Sequence, residues 1–386
     1  MTVAAAVVVV IASGVACGCP FCGVVGESLA ERRDRASCVA IGEPAGPATR
    51  DAAGLPVQPF TLTQVIREPP PPLETLGPSV ETAALAVTAR VPAPVAGLAV
   101  LFAAAAGDAQ AWAAIPADEL VIAHVVNAPA TTEPAARRLG WFLPRLEHPD
   151  PAIAADAFTE FGLAPFEAVR AVAGGFDVDA LRAWMRDPGI VQQRRGFYGL
   201  ALGLAAASRE ADDPAAASAR AALAAEIAAP ADDFRAGFDG ILGGLLVADG
   251  IAGLEAIGRR GLFDAAARPV DQRHALTALR FAWENLADTI PRPRVAAATA
   301  RLLAAPAVAA DAAVDLARYE WWPAVSDVAA LWDTLGADDP LVRRAVAGYL
   351  AACPTPEAAA ALAAIRTRDP ARLTAALEAA AFPAAR

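Results

Sequence analysis

The chain has 386 residues, enough for two domains and a large buried core. Its formal charge of −11 argues against binding nucleic acid or anionic lipid through bulk electrostatics, because the field has the wrong sign. Mean hydropathy is +0.39, but much of the hydrophobic fraction is alanine, and past the N-terminus no uncharged run of about 20 bulky apolar residues predicts a membrane span.

Residues 2–16 form an apolar run that ends in small residues, with Gly14 and Ala16 placed for cleavage before Cys17. This pattern predicts a signal peptide over 1–16 and an exported protein, whether periplasmic, bound in the cell envelope or secreted. Lys and Arg are absent before the run, which leaves a buried first strand as an alternative. Lipoprotein anchoring is less favoured because the residues before Cys17 lack the usual leucine.

Four of the five cysteines, Cys17, Cys19, Cys22 and Cys38, lie close together near the N-terminus. In an exported protein this clustering favours one or two disulfides that pin the N-terminal segment. Two alternatives stay open. The Cys19-Pro20-Phe21-Cys22 spacing is also that of a thiol redox pair, although no downstream cis-proline motif accompanies it. Three or four thiolates also suit a metal such as Zn²⁺ or Cu⁺, although no His is nearby.

The region 17–112 is predicted to be a Cys-pinned, β-rich domain. Phe60 and Leu62, with Gln64 as a further candidate, alternate with threonines, as a half-buried strand requires. A small barrel or sandwich of four to six strands fits the spacing of Gly and Pro clusters. The strands are expected at 39–42, 58–66, 80–91 and 98–103.

Residues 113–134 are predicted to connect this domain to the next, with a short helix at 118–126 and a linker at 127–134. From 135 to 386 the apolar period becomes helical, and Asp-Pro pairs recur where helices are expected to begin. Stacked helix pairs predict a solenoid. The helices are expected at 135–146, 151–162, 166–173, 177–186, 190–207, 214–228, 232–248, 250–260, 270–284, 292–304, 308–318, 323–335, 340–352, 356–365 and 370–381.

Several segments carry a resemblance to a known group of proteins. The segment 338–350, DDPLVRRAVAGYL, resembles the second half of a HEAT repeat. Together with CPFC and the segments at 141–166, 181–204, 278–295, 316–332 and 349–358, it resembles the exported HEAT-repeat proteins of planctomycete-type bacteria. The resemblance implies a HEAT-like α-solenoid and export, and it assigns no catalytic or binding residues. The predicted fold class is therefore α+β, mainly α, with a small β-barrel or sandwich before the solenoid.

Two groups of Arg and aromatic residues are candidates for partner binding. They are Arg194 and Arg195 with Tyr198, and Trp321 with Trp322. Such side chains are enriched at protein interfaces, and on the concave side of a solenoid they would line a groove for a peptide or protein. The alternative is that they fill the joints between helix pairs.

The sequence gives no support for catalysis. The three histidines have no ligand spacing, and neither a nucleophile elbow nor a phosphate-binding loop is present. We therefore expect no cofactor, no metal site outside the cysteine cluster and no nucleic-acid partner. The predicted function is an exported, non-enzymatic scaffold that binds an unidentified protein or peptide. The alternatives are redox or metal chemistry at the cysteines and an enzyme site between the domains.

Overall fold

The computed structural model describes residue 21 and residues 26–67, 86–104, 111–230 and 233–381. The chain divides into two compact units, one extending to Val172 and the other beginning at Ala173 and including Phe21. The first helices assigned to the solenoid therefore belong to the unit that contains the sheet. The division lies at 172/173, later than the predicted boundary at 134/135.

The first unit contains a six-stranded sheet and five α-helices within its described residues. One of these helices precedes the sheet in the chain and the other four follow it. In chain order the elements are α1 Leu29–Arg35, β1 Cys38–Pro44, β2 Thr49–Arg50, β3 Pro56–Arg67, β4 Ala86–Arg90, β5 Ala99–Ala103, β6 Trp112–Pro116, α2 Glu119–Asn127, α3 Ala135–Phe142, α4 Pro151–Leu163 and α5 Phe166–Ala171.

Five strands close into a small barrel in the order β1-β5-β6-β4-β3, and β3 returns to pair with β1. The β4–β6 pair is parallel and the other pairs are antiparallel, a connectivity like that of OB-type barrels. β2 adds only a short extension beside β3. The predicted strands at 39–42, 58–66 and 98–103 are confirmed, whereas β2 and β6 lie outside the predicted set.

Side-chain alternation explains how the barrel is filled. Ala40, Phe60 and Leu62 point into its core, and Val39 and Phe102 lie on the outer face, where Val125 of α2 covers them. The predicted inward positions of Phe60 and Leu62 are thus confirmed, but Gln64 is exposed.

The second unit is entirely helical among its described residues, which confirms the mainly helical character expected for this part of the chain. Most of its helices begin and end within two residues of the predicted bounds. They are α6 Val178–Arg186, α7 Arg194–Ala207, α8 Pro214–Ala228, α9 Phe238–Asp249, α10 Ile251–Arg259, α11 Pro269–Asn285, α12 Arg292–Arg301, α13 Ala309–Arg318, α14 Val325–Ala330, α15 Pro340–Ala352, α16 Pro356–Arg368 and α17 Pro370–Ala381.

Helices α7 and α9 of the second unit cross very closely. A Cβ atom built on Gly203 would lie 2.0 Å from the carbonyl oxygen of Gly244, and one on Gly240 would lie 2.0 Å from that of Gly196. The two backbones touch because these positions lack side chains. Helices α6 and α8 also contact α7, and α10 and α11 contact α9.

Candidate functional site

The predicted cysteine site is only partly within the described residues. Cys17, Cys19 and Cys22 lie outside them. Cys38 is the first residue of β1, its thiol is free and half-buried, and burial raises its pKa. A raised pKa disfavours the reactive thiolate. Disulfide pairing, redox cycling and metal binding by the cluster remain predictions.

Two residues of the predicted partner-binding group on α7 are buried. Tyr198 is 0% exposed and packs against Trp184 and Phe197, and Arg194 is 8% exposed. Both therefore face the interior and offer a partner almost no surface. Arg195 is more accessible, and its guanidinium lies 3.3 Å from Glu226. For α7, this burial favours the alternative interpretation, in which such side chains fill the joints between helices.

The second predicted group, Trp321 and Trp322, is half-buried at the joint before α14. The Tyr349 hydroxyl donates a hydrogen bond of 2.6 Å to the carbonyl of Trp321, and its ring contacts that of Trp322 with centroids 5.4 Å apart. Both tryptophans are thus tied to α15. Their partly exposed surfaces keep them available as contact residues.

An apolar groove of about 490 Å³ lies between α13 and α15 in the second unit. Val314 is 44% exposed and Leu341 is 66% exposed, and both line it. Its floor consists largely of alanine and glycine, so backbone lies close to the surface and leaves room for a bulky side chain. The apolar lining residues are Pro306, Ala307, Ala310, Val314, Ala317, Leu341, Val342, Ala345, Gly348 and Ala380.

Charged side chains border this groove, which we call the α13–α15 groove. Asp339 accepts a hydrogen bond from an amide in the first turn of α15, and Asp311 lies 3.9 Å from Arg280. Arg318 lies 3.9 Å from a buried carboxylate on its own helix. Arg344 is exposed and forms no ion pair within the described part of the chain. The formal charges of these four side chains cancel, and Arg344 is the cation among them that is open to an acidic group of a ligand.

A second polar cluster lies inside the first unit and is closed to solvent. The Nε2 atom of His124 lies 2.7 Å from Asp156, and the backbone amide of Leu29 donates a 2.6 Å hydrogen bond to the same carboxylate. His124 and Asp156 are each 4% exposed, and the rings of Trp141 and Phe142 cover the imidazole. This His–Asp pair ties α1 to α2 and α4, and its burial keeps it from contacting a substrate.

A third cluster surrounds His274 on α11. Its Nε2 donates a 3.1 Å hydrogen bond to the carbonyl of Phe234, and Nδ1 lies 3.7 Å from Asp239. Burial alone would lower the pKa of His274, but the nearby carboxylate of Asp239, the hydrogen bond to the Phe234 carbonyl and the charge of Asp271 raise it above its ordinary value. Beside it, Arg235 adopts φ 51° and places its guanidinium 3.4 Å from the ring centre of Phe238.

The raised pKa of His274 predicts a pH-dependent contribution to stability. Because the folded-state pKa exceeds the unfolded value of about 6.5, this contribution is fully present below that pH and is lost as pH rises through the folded-state pKa. We expect His274→Gln to lower the melting temperature more at about pH 5.5 than at about pH 9. Thermal unfolding followed by circular dichroism at both pH values measures this.

Asp239→Asn provides the matched control, since it removes the main counter-charge and leaves the imidazole in place. In Asp239→Asn, as in His274→Gln, the melting temperature should fall further below that of the parent chain at about pH 5.5 than at about pH 9. Equal losses of melting temperature at both pH values for His274→Gln would contradict the assignment.

Comparison of the chain with protein-family models, with curated proteins and with solved structures found no match. Within the described residues, no helix is both long and apolar enough to cross a bilayer, and no group of three His, Cys, Asp or Glu side chains is arranged to hold a metal ion. The α13–α15 groove is the feature on which a functional proposal can be built. Sequence reasoning missed it because Val314 and Leu341 belong to different helices.

Proposed function

We propose that this protein is a non-enzymatic binding protein whose helical unit holds a segment of a partner polypeptide in the α13–α15 groove. The observation that carries the proposal is the exposure of Val314 and Leu341 in one groove over a floor of small residues. Exposed apolar side chains that share a concave surface are typical of interaction sites.

We further propose that the second unit is a HEAT-like α-solenoid. In support, contacts run between alternate helices, from α7 to α9 to α11 and from α13 to α15 to α17, with α12 linking the two runs. Such a pattern is expected of stacked helix pairs. An exported location is part of the same proposal and rests on the apolar run at residues 2–16.

The charges at the groove indicate the chemistry of the partner. A segment with bulky aliphatic or aromatic side chains would cover Val314 and Leu341. Arg344, which has no ion pair in the described residues, would then face an acidic residue that flanks the apolar ones. The proposed ligand is therefore an amphipathic segment with an apolar face and an acidic edge, as in helix-in-groove recognition.

Selection from a random peptide library against the purified chain tests this proposal. We expect selected peptides to combine bulky apolar residues with Asp or Glu. Leu341→Asp should weaken their binding at least about tenfold, because it removes apolar contact worth about 1.5 kcal/mol or more. Fold stability should change little, since Leu341 is 66% exposed and an acidic residue suits the first turn of α15.

Val191→Asp is the matched control, because Val191 is 51% exposed in the same unit and does not line the groove. Fluorescence anisotropy of labelled peptides should show unchanged affinity for this variant. Selected peptides that bind Leu341→Asp and the parent chain equally well would overturn the proposal.

A further inference from the structure

Phe21, from the CGCPFC segment, is packed as a member of the helical unit. It is 5% exposed, and its ring meets that of Phe281 on α11 edge to face, with centroids 4.9 Å apart. An aromatic side chain buried in this way contributes strongly to packing. The contact joins two residues that are far apart in sequence.

Two glycines provide the space that Phe21 fills. A Cβ atom on Gly243 of α9 would lie 2.7 Å from the Cε2 and Cζ atoms of the Phe21 ring, and one on Gly196 of α7 would lie 2.9 Å from the Phe21 carbonyl oxygen. The crossing of α7 and α9 does not require glycine at 243, because the atoms near its Cβ position belong to Phe21 and Phe281. The absence of a side chain at Gly243 therefore leaves the space that the Phe21 ring fills.

We propose that α7, α9 and α11 form an aromatic-binding slot for a polypeptide segment, whose resident ligand is Phe21 of the same chain. Phe21 is the anchor of this contact, as a single buried residue anchors a peptide on its receptor. When the ring is removed, the slot accepts a phenylalanine-bearing peptide in trans. This inference is independent of the α13–α15 groove.

A double-mutant cycle in the full chain tests whether the Phe21 ring occupies the slot. Phe21→Ala should lower the melting temperature of the helical unit by about 5 °C or more. Gly243→Ala should also lower it in the parent chain, because the new methyl group displaces the ring. In the Phe21→Ala background the same Gly243→Ala change should be neutral or stabilising, since the space is open and alanine favours helix. Equal destabilisation in both backgrounds would overturn the proposal.

Binding in trans is tested with a synthetic peptide that copies residues 18–23 with serine at both cysteine positions. Isothermal titration calorimetry should show saturable binding to the Phe21→Ala chain and at least tenfold weaker binding to the parent, whose slot is filled. Gly243→Ala added to Phe21→Ala should abolish the binding, and so should alanine in place of the peptide's phenylalanine. Binding that is the same for parent and variant, or absent from both, contradicts the slot. Leu341→Asp should leave every result unchanged, which separates this site from the groove.

Discussion

Gly203→Ala is expected to destabilise the helical unit by about 3 kcal/mol or more. The new Cβ would lie 2.0 Å from the Gly244 carbonyl oxygen and 2.5 Å from its Cα, so α7 and α9 must separate. Separation opens voids along a helix pair that is buried along most of its length. Urea unfolding followed by circular dichroism measures the loss.

Gly174→Ala is the control for this change, because no atom in the described residues lies within 4 Å of its Cβ position. It should alter the free energy of unfolding by less than about 1 kcal/mol. Similar stabilities of Gly203→Ala and Gly174→Ala would show that the two helices do not cross as closely as described.

Asp156→Ala is expected to destabilise the first unit by about 3 kcal/mol or more, because it leaves one buried and one partly buried donor without their acceptor. These are the imidazole of His124 and the backbone amide of Leu29. The amide begins α1, so this helix should loosen first. Hydrogen exchange of the α1 amides, together with thermal unfolding, measures both effects.

Thr159→Ala serves as the control on the same helix. Thr159 is half-buried, and its hydroxyl donates a hydrogen bond to the carbonyl of Ala155 within α4. This change should leave exchange at α1 as it is in the parent chain. Fast exchange of the α1 amides in both variants, or in neither, would refute the role given to Asp156.

Helix positions were largely predictable from the sequence because their start signals are local. Asp150, Asp213 and Asp339 each precede a proline, and each side chain accepts a hydrogen bond from an amide in the first turn of its helix. The pair at Asp187 is an exception. There the aspartate follows α6, and the next helix begins only at Arg194.

Other elements depend on signals that periodicity does not capture. The helix predicted from 232 begins at Phe238, because Arg235 has φ 51° and Gly237 has φ 76°, which no α-helix allows. Helix α1 is short and charged, yet Ser28 and Glu31 form a capping box that signals its start. Strand β6 is an alanine-containing segment, and its pairing with two other strands defines it.

Sites formed by residues of several helices could not be predicted from the sequence. Tyr198 and Arg195 are three residues apart, but only one of them reaches solvent, since burial depends on which helices pack against α7. The close crossing had a usable signal in the four-residue spacing of Gly199 and Gly203 and of Gly240 and Gly244. The slot for Phe21 had no comparable signal in the sequence.

Binding of an apolar segment with an acidic edge in the α13–α15 groove is tested most directly by a charge-swap cycle. A selected peptide and its counterpart with Lys in place of each acidic residue are titrated against the parent chain and against Arg344→Glu. We expect the acidic peptide to bind the parent about tenfold more tightly than Arg344→Glu, and the Lys peptide to show the reverse preference. Four equal affinities would contradict it.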